Sequence, residues 1–219
     1  MEPEVTCVSD LTDGLEAMTF AAKLCYGRER DEMSYDKRVD LMLKILKSKH
    51  FSILEHASAR FYITNVSRNF THQLVRHRHM SFAQQSFHYS VAKDMEAPIY
   101  PGMSAMQKDI VTKQFIDAFG VYERLMLNGV PKEEARHVLP SGAMTKIGVT
   151  ANLREWMQFV NVRACAVNCY EIREVAFKVR NILVDAYPFM TPYMGPSCFT
   201  EHKCHEGTKF CGKPWGNLK

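Results

Sequence analysis

The chain has 219 residues, 46% hydrophobic and 24% charged, with a net charge of +4. That length holds one large domain or two small ones with a sizeable core, and the composition is that of a globular chain rather than a disordered one. So mild a positive balance excludes the strongly basic stripes of a nucleic-acid-coating protein and suits small anionic ligands at least as well.

Residues 9–13 supply N-caps for a first helix, on which Leu15, Met18, Ala22 and Cys25 recur at helical spacing, with Gly27 as its C-cap. Ser34 opens a second helix with Val39, Met42, Leu43 and Leu46 as its apolar stripe. Lys44, Lys47 and Lys49 crowd its end, where the helix dipole favours cations. Ala59, Phe61 and Ile63 alternate with Arg60, Tyr62 and Thr64, a strand pattern. Ser67 caps a short helix over 68–78, on which Gln73, Arg76 and His77 share one face while Phe70, Leu74 and Val75 pack.

Residues 81–89 read as a loop and then an extended segment. A long helix follows over 104–128, with Ile110, Phe115, Phe119, Tyr122 and Met126 on its apolar face and Gly129 at its end. Pro131 begins a further helix that Pro140 and Gly142 stop. Residues 143–149 form a second strand, Asn152 caps a helix over 152–165, and 171–186 is another. From Tyr187 on, Pro, Gly and Cys replace periodicity, so a domain over 1–190 is followed by a loosely structured tail over 191–219. Cys198, His202, Cys204, His205 and Cys211 are donor types that zinc accepts, but their spacing matches no paired pattern, and free thiols are expected, with no metal. Seven scattered cysteines, no apolar leader and no run of membrane-span length point to a reducing, intracellular, cytoplasmic setting away from membranes.

Two stretches carry chemistry. Residues 76–90 hold three imidazoles, two guanidiniums, two carboxamides and three serine hydroxyls with no Asp or Glu. Positive charge without a partner in its own segment calls for an anion from elsewhere: a carboxylate, a phosphate or nucleic acid. On the Asn152 helix, Leu153, Trp156, Met157 and Val160 form the apolar stripe, Arg154 and Gln158 share another face, and Arg163 ends the stripe. An inward arginine either pairs with Glu55, Glu171 or Glu174, or binds a ligand. For Arg136 the choice is between surface charge and ligand. His56 and Ser58 need no role beyond strand entry, nor Cys165 and Cys169 beyond core thiols.

Arg76-His77-Arg78, seven residues, then Ser86 resembles the RHR-x7-S signature of the flavin-dependent thymidylate synthases. Glu55-His56, Gln73, Tyr89-Ser90, Gly129-Val130-Pro131, Ala135-Arg136 with Val138-Leu139-Pro140, and Asn152-x-Arg154 leading to Arg163 are similar to that family in the same order over residues 10–190. The resemblance implies an α/β (α+β) fold, with a central mixed or antiparallel sheet flanked by helices, assembled as a homotetramer whose sites are shared between subunits. It implies reductive methylation of dUMP to dTMP, with 5,10-methylenetetrahydrofolate as carbon donor, NADPH as reductant through FAD, and no cysteine nucleophile. Carried over residue by residue, Gln73, Leu74, Val75, Arg76, Gln84, Gln85, Ser86, Phe87, His88, Arg136 and Arg163 would hold dUMP, with Arg163 catalytic. His56, Ser58, Arg76, His77, Arg78, His79, Gln84, Asn152, Arg154 and Gln158 would hold FAD. Three positions depart from the family pattern: Ala83 stands for Asn, Gln84 for Glu and His88 for Arg. The rival readings are an anion- or nucleic-acid-binding module built on residues 76–79, and a flavoprotein of this fold without synthase activity. The local confinement of the basic residues argues against nucleic acid.

Overall fold

The computed structural model describes residues 2–28, 30, 32–87, 96–213 and 215. Strands β1 (Glu4–Cys7), β2 (Ser58–Ser67), β3 (Ser81–Gln84) and β4 (Met144–Asn152) form one antiparallel sheet in the order β1-β2-β4-β3. The fold is α+β in a single domain, and every strand pairing is antiparallel. Alternation makes β2 half-buried, as its pattern predicts: Ala59, Phe61 and Ile63 are buried, Arg60 and Tyr62 exposed. The strand outruns that pattern through an irregularity where Asn65 takes a left-handed φ of 55°, and pairs again with β4 at Val66.

The helices are α1 (Gly14–Leu24), α2 (Tyr35–Lys47), α3 (Arg68–Leu74), α4 (Ala105–Leu127), α5 (Lys132–Ala135), α6 (Leu153–Arg163), α7 (Tyr170–Ala186) and α8 (Ser197–Thr200). The main core lies between the inner face of the sheet and the buried faces of α1, α6 and α7. Trp156 anchors it: the ring meets Phe61 edge-on at 4.8 Å and its N–H donates to the Ala59 carbonyl at 3.0 Å. A smaller core gathers Phe87, Tyr122, Ala135 and Ala143 where α4 packs on α5 and the turn after it.

Several expectations are corrected. Helix α3 stops at Leu74, so Arg76 and His77 lie beyond it and do not share a helical face with Gln73; Val75 is exposed. Residues 81–84 form a strand at once instead of a loop, because β4 offers them its free edge. Leu43 and Cys25 face outward, off the buried stripes of their helices. Ile110 is 63% exposed, off the side of α4 that carries buried Tyr122. Pro131 is the N-cap of α5 and not its first residue.

The segment after Tyr187 packs rather than trailing loosely. Phe189, Met190 and Met194 enter the main core. Trp215 sits between Phe177, edge-on at 5.1 Å, and Phe199, tilted at 5.4 Å, with the Arg180 guanidinium 5.2 Å from its ring. Gly195 leaves the room, since a Cβ there would meet Phe199 at 2.6 Å and Trp215 at 2.8 Å. All seven cysteines are free thiols. Among the described residues no three metal-ligating side chains converge, and no helix is long and apolar enough to cross a membrane.

Candidate active site

Arg163 organises the first neighbourhood. Asn152 starts α6 by accepting the Glu155 N–H at 2.9 Å, and the helix then runs to Arg163, its last residue. Arg163 Nη2 donates to the Gln73 carbonyl at 3.1 Å and Nε donates to His77 Nε2 at 3.1 Å. The ion pair with Glu55, Glu171 or Glu174 that its inward position allowed does not form. Glu55 holds Arg154 instead, and Glu171 takes both donors of Ser67. The acceptors around Arg163 are neutral, so its charge stays available to a ligand. Burial lowers its pKa from the usual guanidinium value, an effect that favours an anionic partner.

His77 is 9% exposed and lies edge-on to Phe159 at 5.2 Å. Burial, and then the charge of Arg163, push its pKa down to about 4. The ring is neutral at pH 7, so its 3.4 Å approach to Glu155 is not an ion pair. Its Nε2 is taken by Arg163, and its Nδ1 faces Glu155 Oε1. Burial raises the Glu155 carboxyl, and His79 nearby works against that.

The second neighbourhood lies at the other end of α3, about 10 Å away by helical rise. Gln84 closes β3 and donates to Thr145 Oγ1 at 3.5 Å, and the Gln85 N–H donates to the Lys146 carbonyl at 3.0 Å. Phe87 is buried under the guanidinium of Arg68, 4.1 Å above its ring centroid. Arg68 Nη2 donates to the Gln85 carbonyl at 3.3 Å, while its Nε is buried without a partner. Burial, and then Arg136, lower the Arg68 pKa. Arg136 is half-buried, with Nε donating to the Glu133 carbonyl at 3.0 Å, so it is not a freely solvated surface charge. Ser86 is half-buried between Gln85 and Phe87. His88, Tyr89 and Ser90 lie outside the described residues.

The third is a cleft of about 750 Å³ lined by His79, Asn152, Arg154 and Gln158 together with Lys47, Lys49 and Phe51. Sheet register explains the gathering: Ser58 of β2 pairs with Asn152 of β4, and Ser81, two residues after His79, pairs with Thr150. Exposed His56 and Ser58 follow Glu55 at this end of the sheet, and Arg76 and Arg78 are exposed beside it in sequence. Leu74 is buried in the main core.

Sequence reasoning missed Arg68, Glu155 and the lysine side of the cleft. Arg68 carried one signal, a cation in the first turn of a helix, where the dipole disfavours it. Glu155 carried a misleading one, since Asn152-x-x-Glu155 has capping-box spacing. Only its backbone N–H serves the cap, and its carboxylate turns to His77.

Polar and cationic groups gathered at strand ends and at the close of one helix define an α+β protein with a composite site for anionic, hydrogen-bonding ligands. Residues 7–189 match the family described as thymidylate synthase complementing protein, and the chain belongs to that family. It is 36% identical to the flavin-dependent thymidylate synthase of Geobacter sulfurreducens over 96% of this chain and 94% of that one. The protein of the same name from Sulfolobus acidocaldarius is 34% identical over 89% of this chain and 78% of its own. That of Mycobacterium tuberculosis is 33% identical over 85% and 82%.

Proposed function

We propose that this chain is a flavin-dependent thymidylate synthase, which methylates dUMP reductively to dTMP with 5,10-methylenetetrahydrofolate as carbon donor, NADPH as reductant and FAD as cofactor. The observation that carries the reading is Arg163: a half-buried guanidinium whose acceptors are a backbone carbonyl and a neutral imidazole. Facing the uracil edge, it stabilises the ring with its N3 proton lost, which raises electron density at C5, the carbon that takes the methylene. This is electrostatic activation in place of covalent attack by a cysteine. Arg136 and Arg76 fork onto phosphate oxygens, and Gln73, Gln84, Gln85, Ser86 and His88 complete the nucleotide contacts.

The cleft fits FAD in size and chemistry. Its volume of about 750 Å³ is that of an ordinary ligand site; beside the carboxylates Glu55, Glu155 and Glu201, Lys47, Lys49 and Arg154, the last ion-paired to Glu55, would meet pyrophosphate, and Asn152 and Gln158 would meet ring edges. Bound there, FAD supplies the hydride that completes the methyl group. His79, Asn152, Arg154 and Gln158 would hold it, helped by His56, Ser58, Arg76, Arg78 and Gln84.

A homotetramer with sites shared between subunits supplies the rest. Its support is α4, whose side away from Tyr122 exposes Met106, Ile110, Ile116 and Leu127 by 72, 63, 65 and 86%.

The test is the visible absorption spectrum of the purified protein before and after anaerobic NADPH, with and without dUMP. A yellow protein whose flavin bands bleach at a dUMP-dependent rate is expected. A colourless protein that neither takes up FAD nor oxidises NADPH would sink the proposal.

A further inference from the structure

Behind Arg163 runs a polar chain through His77, which the family resemblance gives to FAD, to Glu155, which lines the cleft and has no role assigned above. Arg163 Nε carries a hydrogen and donates to His77 Nε2, so that nitrogen must be the unprotonated one. In a neutral imidazole the proton then sits on Nδ1, the atom 3.4 Å from Glu155 Oε1. The Glu155 side chain is 13% exposed and that of His77 is 8%, so water competes weakly for either. Phe159 closes on the ring from the side. Glu155 and Arg163 are eight residues apart on α6 and reach His77 at its two nitrogens.

We propose that Glu155 is a positioning residue that acts through His77: it holds the imidazole as the Nδ1–H tautomer, so that Nε2, together with the Gln73 carbonyl on Nη2, fixes Arg163 with Nη1 left for the ligand. The division of labour is that of any carboxylate–imidazole pair, in which the carboxylate sets tautomer and ring orientation and the far nitrogen does the work. Here the far nitrogen receives a hydrogen bond instead of taking a proton, so the chain of contacts orients charge and moves none. The kinetic consequence rests on the reading of Arg163 as the group that faces dUMP; the tautomer does not.

The experiment uses the full chain with 15N-labelled histidine at pH 7.5, as wild type, Glu155→Gln and Glu155→Ala. Wild type should show a His77 Nδ1–H protected from solvent exchange and an unprotonated Nε2. A glutamine side chain retains an oxygen acceptor, so that signature should survive in Glu155→Gln, with kcat within about threefold of wild type. In Glu155→Ala the protected proton should vanish and kcat should fall about ten- to a hundredfold, the cost of a misaligned catalytic group. A wild-type ring protonated at Nε2 overturns the proposal even if Glu155→Ala does not fold. So does a Glu155→Ala protein with wild-type kcat and an unmoved His77 signal. Arg163→Ala separates the two readings: wild-type turnover there removes Arg163 from dUMP, while the spectrum still decides whether Glu155 holds His77.

Discussion

His77 is where burial and charge meet most sharply in this chain. Its pKa of about 4 lies below the ordinary 6.5 of an exposed histidine because the ring is enclosed and faces Arg163. Above pH 6.5 the ring is neutral folded or unfolded, and its contribution is complete. As pH falls from 6.5 toward 4, the unfolded chain takes a proton that the folded chain refuses, so stability declines. Over that window the loss is on the order of 3 kcal/mol. Denaturant midpoints between about pH 7 and 4 should fall less steeply in His77→Gln than in wild type; parallel slopes would mean that another group sets the acid limb. No reading of residues 76–79 could find this, because the sequence presents four equivalent cations and imidazoles. The bend after α3 turns one of them inward and leaves Arg76, Arg78 and His79 exposed.

At the scale of elements, α3 connects the two halves of the proposed nucleotide site, and its start is held by α7. The Ser67 hydroxyl accepts the Phe70 N–H at 3.1 Å and donates to Glu171 Oε2 at 2.7 Å, while the Ser67 N–H donates to Glu171 Oε1. Glu171 is 1% exposed; burial raises its carboxyl pKa and the Ser67 bonds oppose that. Glu171→Ala would leave two buried donors unpaired, a loss of about 2–4 kcal/mol in urea denaturation. Glu171→Gln, which keeps an oxygen acceptor, should lose less. Equal losses in both variants would show that the side chain matters for volume alone. The Ser67 cap was legible from its residue type, as was the cap at Asn152. The carboxylate beneath Ser67 was not, because it lies 104 residues away.

The whole molecule leaves one long element half covered. Helix α4 packs its Tyr122 side on the smaller core and exposes the stripe from Met106 to Leu127. With a homotetramer as the reading, Ile110→Glu places charge in a subunit interface. Light scattering after size exclusion should then report a species smaller than the wild-type tetramer, with the visible flavin spectrum weakened as shared sites come apart. A wild-type protein that elutes as a monomer would remove that reading of α4. At the same scale, Trp215 seated among Phe177, Phe199 and Arg180 makes residues beyond the family match part of the packed body.

Local rules sufficed for part of this protein. Period two in β2, helical spacing in α1, α2, α6 and α7, and the Ser and Asn caps all follow from neighbours within a few residues, so the sequence alone determined them. The ordered motifs from Glu55 to Arg163 determined the family. Tertiary structure decided what depends on distant partners: where α3 ends, that Ser81 pairs with Thr150, and that the tail packs. It also decided that Arg163 meets a neutral imidazole rather than a carboxylate. The physical reason is that a buried charge takes its character from whichever acceptors the fold brings within about 3 Å, and chain separation carries no record of them.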